Sequence, residues 1–137
     1  MSQPDKDQED QNNAAQASRP TAAELAFLQA LWQTGPATAK QLHEKMLAER
    51  PDLTYANVLR QLQIMHGKGM LTRDERQRSH VYAPVLGQDN MQTSLLKDMI
   101  QKVFAGSAKA MVLAALKGHV SSGERKEIED FLKRDQS

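Results

Sequence analysis

Residues 53–84 read LTYANVLRQLQIMHGKGMLTRDERQRSHVYAP. Val58, Leu59, Leu62 and Met65 recur there at the spacing of one helical face, behind a Thr54 suited to cap the first turn. Gly67 or Gly69 supplies the stop. The spacing predicts a helix opening near Thr54, with Asn57, Arg60, Gln61 and Ile64 on its exposed side. Residues 70–73 and 80–83 then read as short extended segments flanking a charged stretch before Pro84, the pattern of a β-hairpin. The loop holds neither Gly nor an Asn-Gly pair, so the pattern leaves its turn type open.

Upstream, Thr21 and Glu24 have the spacing of a capping box and are followed by Leu25, Leu28, Leu31 and Trp32, with Gly35 and Pro36 as the stop. Thr38 and Gln41 repeat the capping spacing before Leu42, Met46 and Leu47, which predicts a short second helix ending ahead of Arg50 and Pro51. Residues 1–19 are polar, acidic and coreless, so they are expected to form a disordered tail. Downstream, Met91, Leu95, Leu96, Met99, Ile100, Val103 and Phe104 make a wide apolar face over about four turns, ended by Gly106. Residues 108–116, AKAMVLAAL, are apolar almost all round and are expected to be buried. Ser121 and Glu124 open a last helix bearing Ile128, Phe131 and Leu132. Three short helices make a thin layer alone, so a second copy is the natural cover. The expected dimerisation residues are Leu95, Leu96, Met99, Ile100, Val103, Phe104, Met111, Val112, Ala115, Ile128, Phe131 and Leu132.

The fold class expected is mainly α: a winged helix-turn-helix of three helices and a small hairpin wing, followed by C-terminal dimerisation helices. The domains are then a tail over residues 1–19, a DNA-binding domain over 20–85 and a helical dimerisation module over 86–137. A length of 137 residues suits that organisation. The formal charge of +1 marks no nucleic-acid binder by itself, but its distribution is uneven. Residues 40–80 hold eight Lys or Arg against five acids, a net of +3, while residues 1–19 hold two against four, a net of −2. An aromatic content of 4% disfavours a β-rich domain or a binder that stacks single-stranded bases. The absence of cysteine excludes disulfides and thiolate chemistry, and no run reaches the roughly 18 apolar residues of a membrane span. A cytoplasmic protein is expected.

In a winged helix-turn-helix the third helix enters the major groove. Arg forks onto guanine and Asn or Gln onto adenine, which makes Asn57, Arg60 and Gln61 candidates for base readout. Arg76, Arg78 and His80 are candidates for phosphate or minor-groove contact from the wing. Thr38, Thr54, Tyr55, Ile64, Lys68 and Arg73 complete the expected DNA-binding set. Singly, each reads as well as a solvated surface residue; together on one surface they favour double-stranded DNA. An enzyme is not expected: His43, His66, His80 and His119 lack metal-ligand spacing, Gly67 and Gly69 do not make a phosphate loop, and Ser121 and Ser122 read as helix caps. No cofactor, metal or small-molecule substrate is expected. The competing reading is a winged-helix protein–protein interaction module, since fold alone does not settle function.

The residues from Thr21 to Lys133 resemble the penicillinase repressors of the BlaI and MecI type. The resemblance rests on Glu24, Leu31, Trp32, Gly35 and Pro36, on Leu53 to Tyr55 leading into Val58, Leu62, Lys68 and Gly69, on Leu71 to Arg73, on Val81 to Pro84, and on residues 104–107. It implies a homodimer on a palindromic operator, blocking transcription of resistance or stress genes. It also implies release when a membrane-bound sensor metalloprotease triggers cleavage within the dimerisation helices. The chain departs from the family pattern at Ala56 and Asn57, where paired threonines are frequent, and at Ile64, where an arginine is. Ala114 and Ala115 stand at the Asn-Phe cleavage site of the staphylococcal type. With no cysteine, the copper-sensing cluster of the copper-responsive branch is absent.

Overall fold

The computed structural model describes residues 19–135, so the expected tail lies, apart from Arg19, outside the described residues. The elements run α1 (Ala22–Thr34), β1 (Ala37–Thr38), α2 (Ala39–Met46), α3 (Tyr55–Gly67), β2 (Leu71–Asp74), β3 (Val81–Pro84), α4 (Gln88–Lys102), α5 (Ala108–Gly118) and α6 (Ser122–Asp135). They divide into two compact units meeting within α4, between Leu95 and Leu96. The first unit is a winged helix of α1 to α3 with a small sheet.

Local chemistry sets the starts of these helices. Both threonine capping boxes form: Thr21 Oγ1 accepts the Glu24 amide at 3.1 Å while Glu24 Oε1 accepts the Thr21 amide at 2.9 Å. Thr38 and Gln41 exchange the same pair at 3.2 and 2.9 Å. The end of α3 is a Schellman turn, in which the Met70 amide donates to Met65 O and the Gly69 amide to His66 O, each at 3.0 Å. Gly69 sits at φ +80 there, a left-handed conformation that costs a side chain about 1–2 kcal/mol.

The core of this unit gathers Phe27, Leu28 and Leu31 from α1, Leu42 and Met46 from α2, Val58, Leu62 and Met65 from α3, and Leu71 and Tyr82 from the sheet. Each large side chain so buried contributes about 1.5–3 kcal/mol. The indole of Trp32 donates to Leu86 O at 3.0 Å, tying α1 to the segment that follows β3. The hairpin lies where the sequence places it, but it is part of a three-stranded antiparallel sheet in the order β1-β3-β2. Ala37 pairs with Tyr82 and Thr38 with Val81. Gly35, at φ +84 and ψ −177, turns α1 directly into this added strand, in a region that only glycine occupies freely.

α4 serves both units. Met91 is buried and Leu95 half-buried against the core of the first unit, whereas Leu96, Met99 and Val103 of the second are exposed. The apolar face that reads as continuous is therefore shared out. In the second unit Ser107 Oγ caps α5 by accepting the Ala110 amide at 3.0 Å. Ser121 and Glu124 exchange hydrogen bonds at 3.1 Å at the start of α6, and Arg125 Nη2 donates to Leu116 O at 2.8 Å. The expectation that residues 108–116 are buried does not hold within one chain: α5 and α6 contain no buried residue, and Val112 and Leu113 are 45% and 47% exposed. Within one chain the second unit leaves Val103, Val112, Leu113, Phe131 and Leu132 exposed.

Gly67 and Gly69 stand close in sequence but not in conformation. A Cβ on either meets open space, yet only Gly69 has a positive φ. Gly69→Ala should lower the unfolding free energy in urea by about 1–2 kcal/mol. Gly67→Ala should be neutral or raise it by up to about 1 kcal/mol.

Candidate nucleic-acid interface

α3 is aimed by contacts at both of its ends. At the start, Thr54 Oγ1 accepts the Asn57 amide at 3.2 Å. The loop before it is held by His43, whose Nε2 lies 2.6 Å from Leu53 O; a carbonyl only accepts, so Nε2 carries the proton. The Tyr55 ring stands edge-on to the same imidazole, with centroids 6.3 Å apart and planes at 69°. At the far end, Lys68 Nζ donates to Glu24 Oε2 at 2.9 Å. Glu24 is only 2% exposed, so a carboxylate buried at the start of α1 anchors the end of α3. Burial alone raises its pKa, but the Thr21 amide and the Lys68 ammonium outweigh that and hold it below the ordinary 4.5.

With these anchors, α3 exposes Ala56, Asn57, Arg60, Gln63, Ile64 and Gly67, while Gln61 sits half-buried on the flank. Arg60 has no ion pair among the described residues. Gln63, which the sequence reading passed over, lies three residues beyond Arg60 on the same face. Its i, i+3 relation to Arg60 is the signal that would have found it.

The wing carries three arginines, and two are occupied within it. Arg76 grips Asp74 with Nε 3.0 Å from Oδ1 and Nη2 2.7 Å from Oδ2, which pushes the Asp74 carboxyl down to about 2. Arg73 Nε donates to Glu75 Oε1 at 2.7 Å; that bond, and then Tyr82, raise the Arg73 pKa further. Arg78 is exposed and has no ion pair among the described residues.

Arg78, Ser79 and His80 line one side of a cleft of about 270 Å³, whose other sides carry Thr38 and Lys40 at the start of α2 and Tyr55 and Gln63 of α3. The fold thus brings Thr38, Tyr55, Arg78 and His80 together and adds Lys40 and Gln63 to them. Asn57, Arg60 and Ile64 stand on the adjoining exposed face of α3. Lys68, Arg73 and Arg76 are engaged with carboxylates of the chain itself. The arrangement offers two cations free of ion pairs among the described residues, Lys40 and Arg78, with hydroxyls and an amide around a concave seat, beside a helix whose polar side chains point outward. That is chemistry for phosphate oxygens and base edges rather than for a bond-making step.

The model of the penicillinase repressor family matches residues 20–134. The protein named Transcriptional regulator BlaI, in two Mycobacterium tuberculosis strains (CDC 1551 / Oshkosh and ATCC 25618 / H37Rv), is 36% identical over 92 residues, covering 66% of this chain and 66% of that protein. The match thus spans just under two thirds of the length of these relatives. A crystal structure of a MarR family transcription regulator overlays with a TM-score of 0.46 at 22% identity, over 87% of this chain and 78% of that one. Among the described residues no helix is long and apolar enough to cross a membrane.

The Glu24 anchor has a pH signature. Its pKa is lowered on folding, so its contribution is fully present above the unfolded value and is lost as pH falls through the folded value. Glu24→Gln should cost about 1–2 kcal/mol at pH 7. The gap between the two urea-unfolding curves should close as pH falls below 4.5, the ordinary value for this group.

Proposed function

The chain belongs to the penicillinase repressor family, and from that premise we propose that it is a sequence-specific DNA-binding repressor, acting as a homodimer on a palindromic operator. The family is one of transcriptional regulators, not of enzymes. The observation that carries the reading is the surface shared by α3 and the cleft beside it. Arg60, Lys40 and Arg78 are free of ion pairs among the described residues, and Thr38, Tyr55, Gln63, Ser79 and His80 add hydrogen-bonding groups to the cleft. In this reading α3 lies in the major groove with Asn57, Arg60 and Gln63 toward the bases, and the cleft takes the flanking phosphates.

The dimer is supported by the second unit. Val103, Phe131 and Leu132 are 70%, 59% and 53% exposed in the single chain, which is apolar surface a second copy of α4 to α6 would cover. Two linked modules bind half-sites about 34 Å apart with an effective concentration that one module lacks. Cleavage within these helices, triggered through a membrane-bound sensor protease by an antibiotic or stress signal, would separate the modules and release the operator.

Arg60→Ala should weaken binding to a duplex enriched by the wild-type chain by about 1–3 kcal/mol and relax preference at one base position. Arg78→Ala should weaken all sequences alike and flatten the dependence on salt. Both are read by fluorescence anisotropy across a salt series, and unchanged binding in both variants would contradict this placement of the DNA face. Val112→Asp puts a charge into the dimer contact, so sedimentation should show monomers together with loss of operator binding. A Val112→Asp protein that stays dimeric would contradict the assignment of the second unit.

A further inference from the structure

We infer that Ile64 is a specificity-determining residue that packs on the 5-methyl group of a thymine in the major groove, an assignment that rests on the DNA-binding reading above. The other aliphatic side chains of α3 larger than alanine are spent on the fold: Val58, Leu62 and Met65 are buried, and Leu59 packs half-buried against the core. Ile64 is 40% exposed and lies outside that core. A β-branched residue on an exposed helix face gains the fold nothing in helix propensity.

Its neighbours say what faces it. Ile64 follows Arg60 by four residues and Asn57 by seven, so the three form one stripe, with Gln63 beside it. The major groove offers hydrogen-bonding edges to Asn57, Arg60 and Gln63, and one apolar feature, the thymine methyl. An aliphatic group among hydrogen-bonding readers matches that feature, and it would desolvate a phosphate to no benefit. A lone apolar side chain next to Arg60 and Gln63 is also too small a patch for a second copy of the chain. Along the helix axis Ile64 lies about 6 Å beyond Arg60. At about 3.4 Å per base step, the thymine stands within roughly two base pairs of the base taken by Arg60.

The test uses a duplex enriched by the full-length wild-type chain from a random pool, with each thymine in turn replaced by deoxyuridine, which removes only the methyl group. Anisotropy titrations at fixed salt should show a loss of about three- to fivefold at one position per half-site, the worth of one methyl group returned to water, and little change elsewhere. Ile64→Ala should bind the thymine and deoxyuridine duplexes equally, and Ile64→Val should keep most of the discrimination. A wild-type chain that binds the enriched duplex but ignores every deoxyuridine would overturn the assignment while leaving the DNA reading intact. So would full methyl discrimination by Ile64→Ala. Failure to enrich any duplex would overturn both.

Discussion

A buried carboxylate holds the reading device together. Taking Glu24 out of water costs several kcal/mol unless its charge is matched, and here the Thr21 amide and the Lys68 ammonium match it. The same side chain closes the first turn of α1 and fastens the end of α3, 44 residues away. His43 fixes the opposite end through Leu53 O. Between these two points the core takes Val58, Leu62 and Met65, and the rotation of α3 about its axis follows: Arg60, Gln63 and Ile64 face out because the other side is committed. Preorganisation of this kind means that a helix presented to a ligand loses little freedom on binding.

The wing shows how charge can be abundant yet mostly committed. Asp74 and Glu75 neutralise Arg76 and Arg73 in place, stiffening a loop that has no glycine, and leave Arg78 as its free cation among the described residues. A loop with all three arginines free would be a stronger but less selective attractor of phosphate. The second unit presents the complementary problem: its helices are capped and linked by Ser107, Ser121 and Arg125, yet their apolar surface is unspent within one chain. Uncovered apolar surface on locally ordered helices supports the proposed subunit interface.

What could be read from sequence alone follows the range of the interactions involved. Capping boxes span three residues, so Thr21 with Glu24 and Thr38 with Gln41 were legible, as were the core positions of α3 and the placing of the hairpin. β1 was not, because two residues carry no periodicity and the strand exists only through its pairing with β3. The pairing of Lys68 with Glu24 is a tertiary contact that no local pattern encodes, so Lys68 read as a DNA ligand. Gln61 and Gln63 are separated by the rotation of α3, which depends on which side chains the core takes. Ion pairing in the wing depends on the path of a loop whose turn the pattern left open. Hydrophobic pattern shows that residues 108–116 want cover, but not whose.

The central claim, that a dimer of this chain reads a symmetric DNA site through α3 and the adjoining cleft, is tested most directly by selecting bound duplexes from a random pool at two salt concentrations, with the oligomeric state measured on the same sample. The account predicts a two-fold symmetric motif, bound by a dimer, with affinity falling steeply as salt rises. No enriched motif at either salt, or binding indifferent to salt, would contradict it and favour a winged helix that recognises protein.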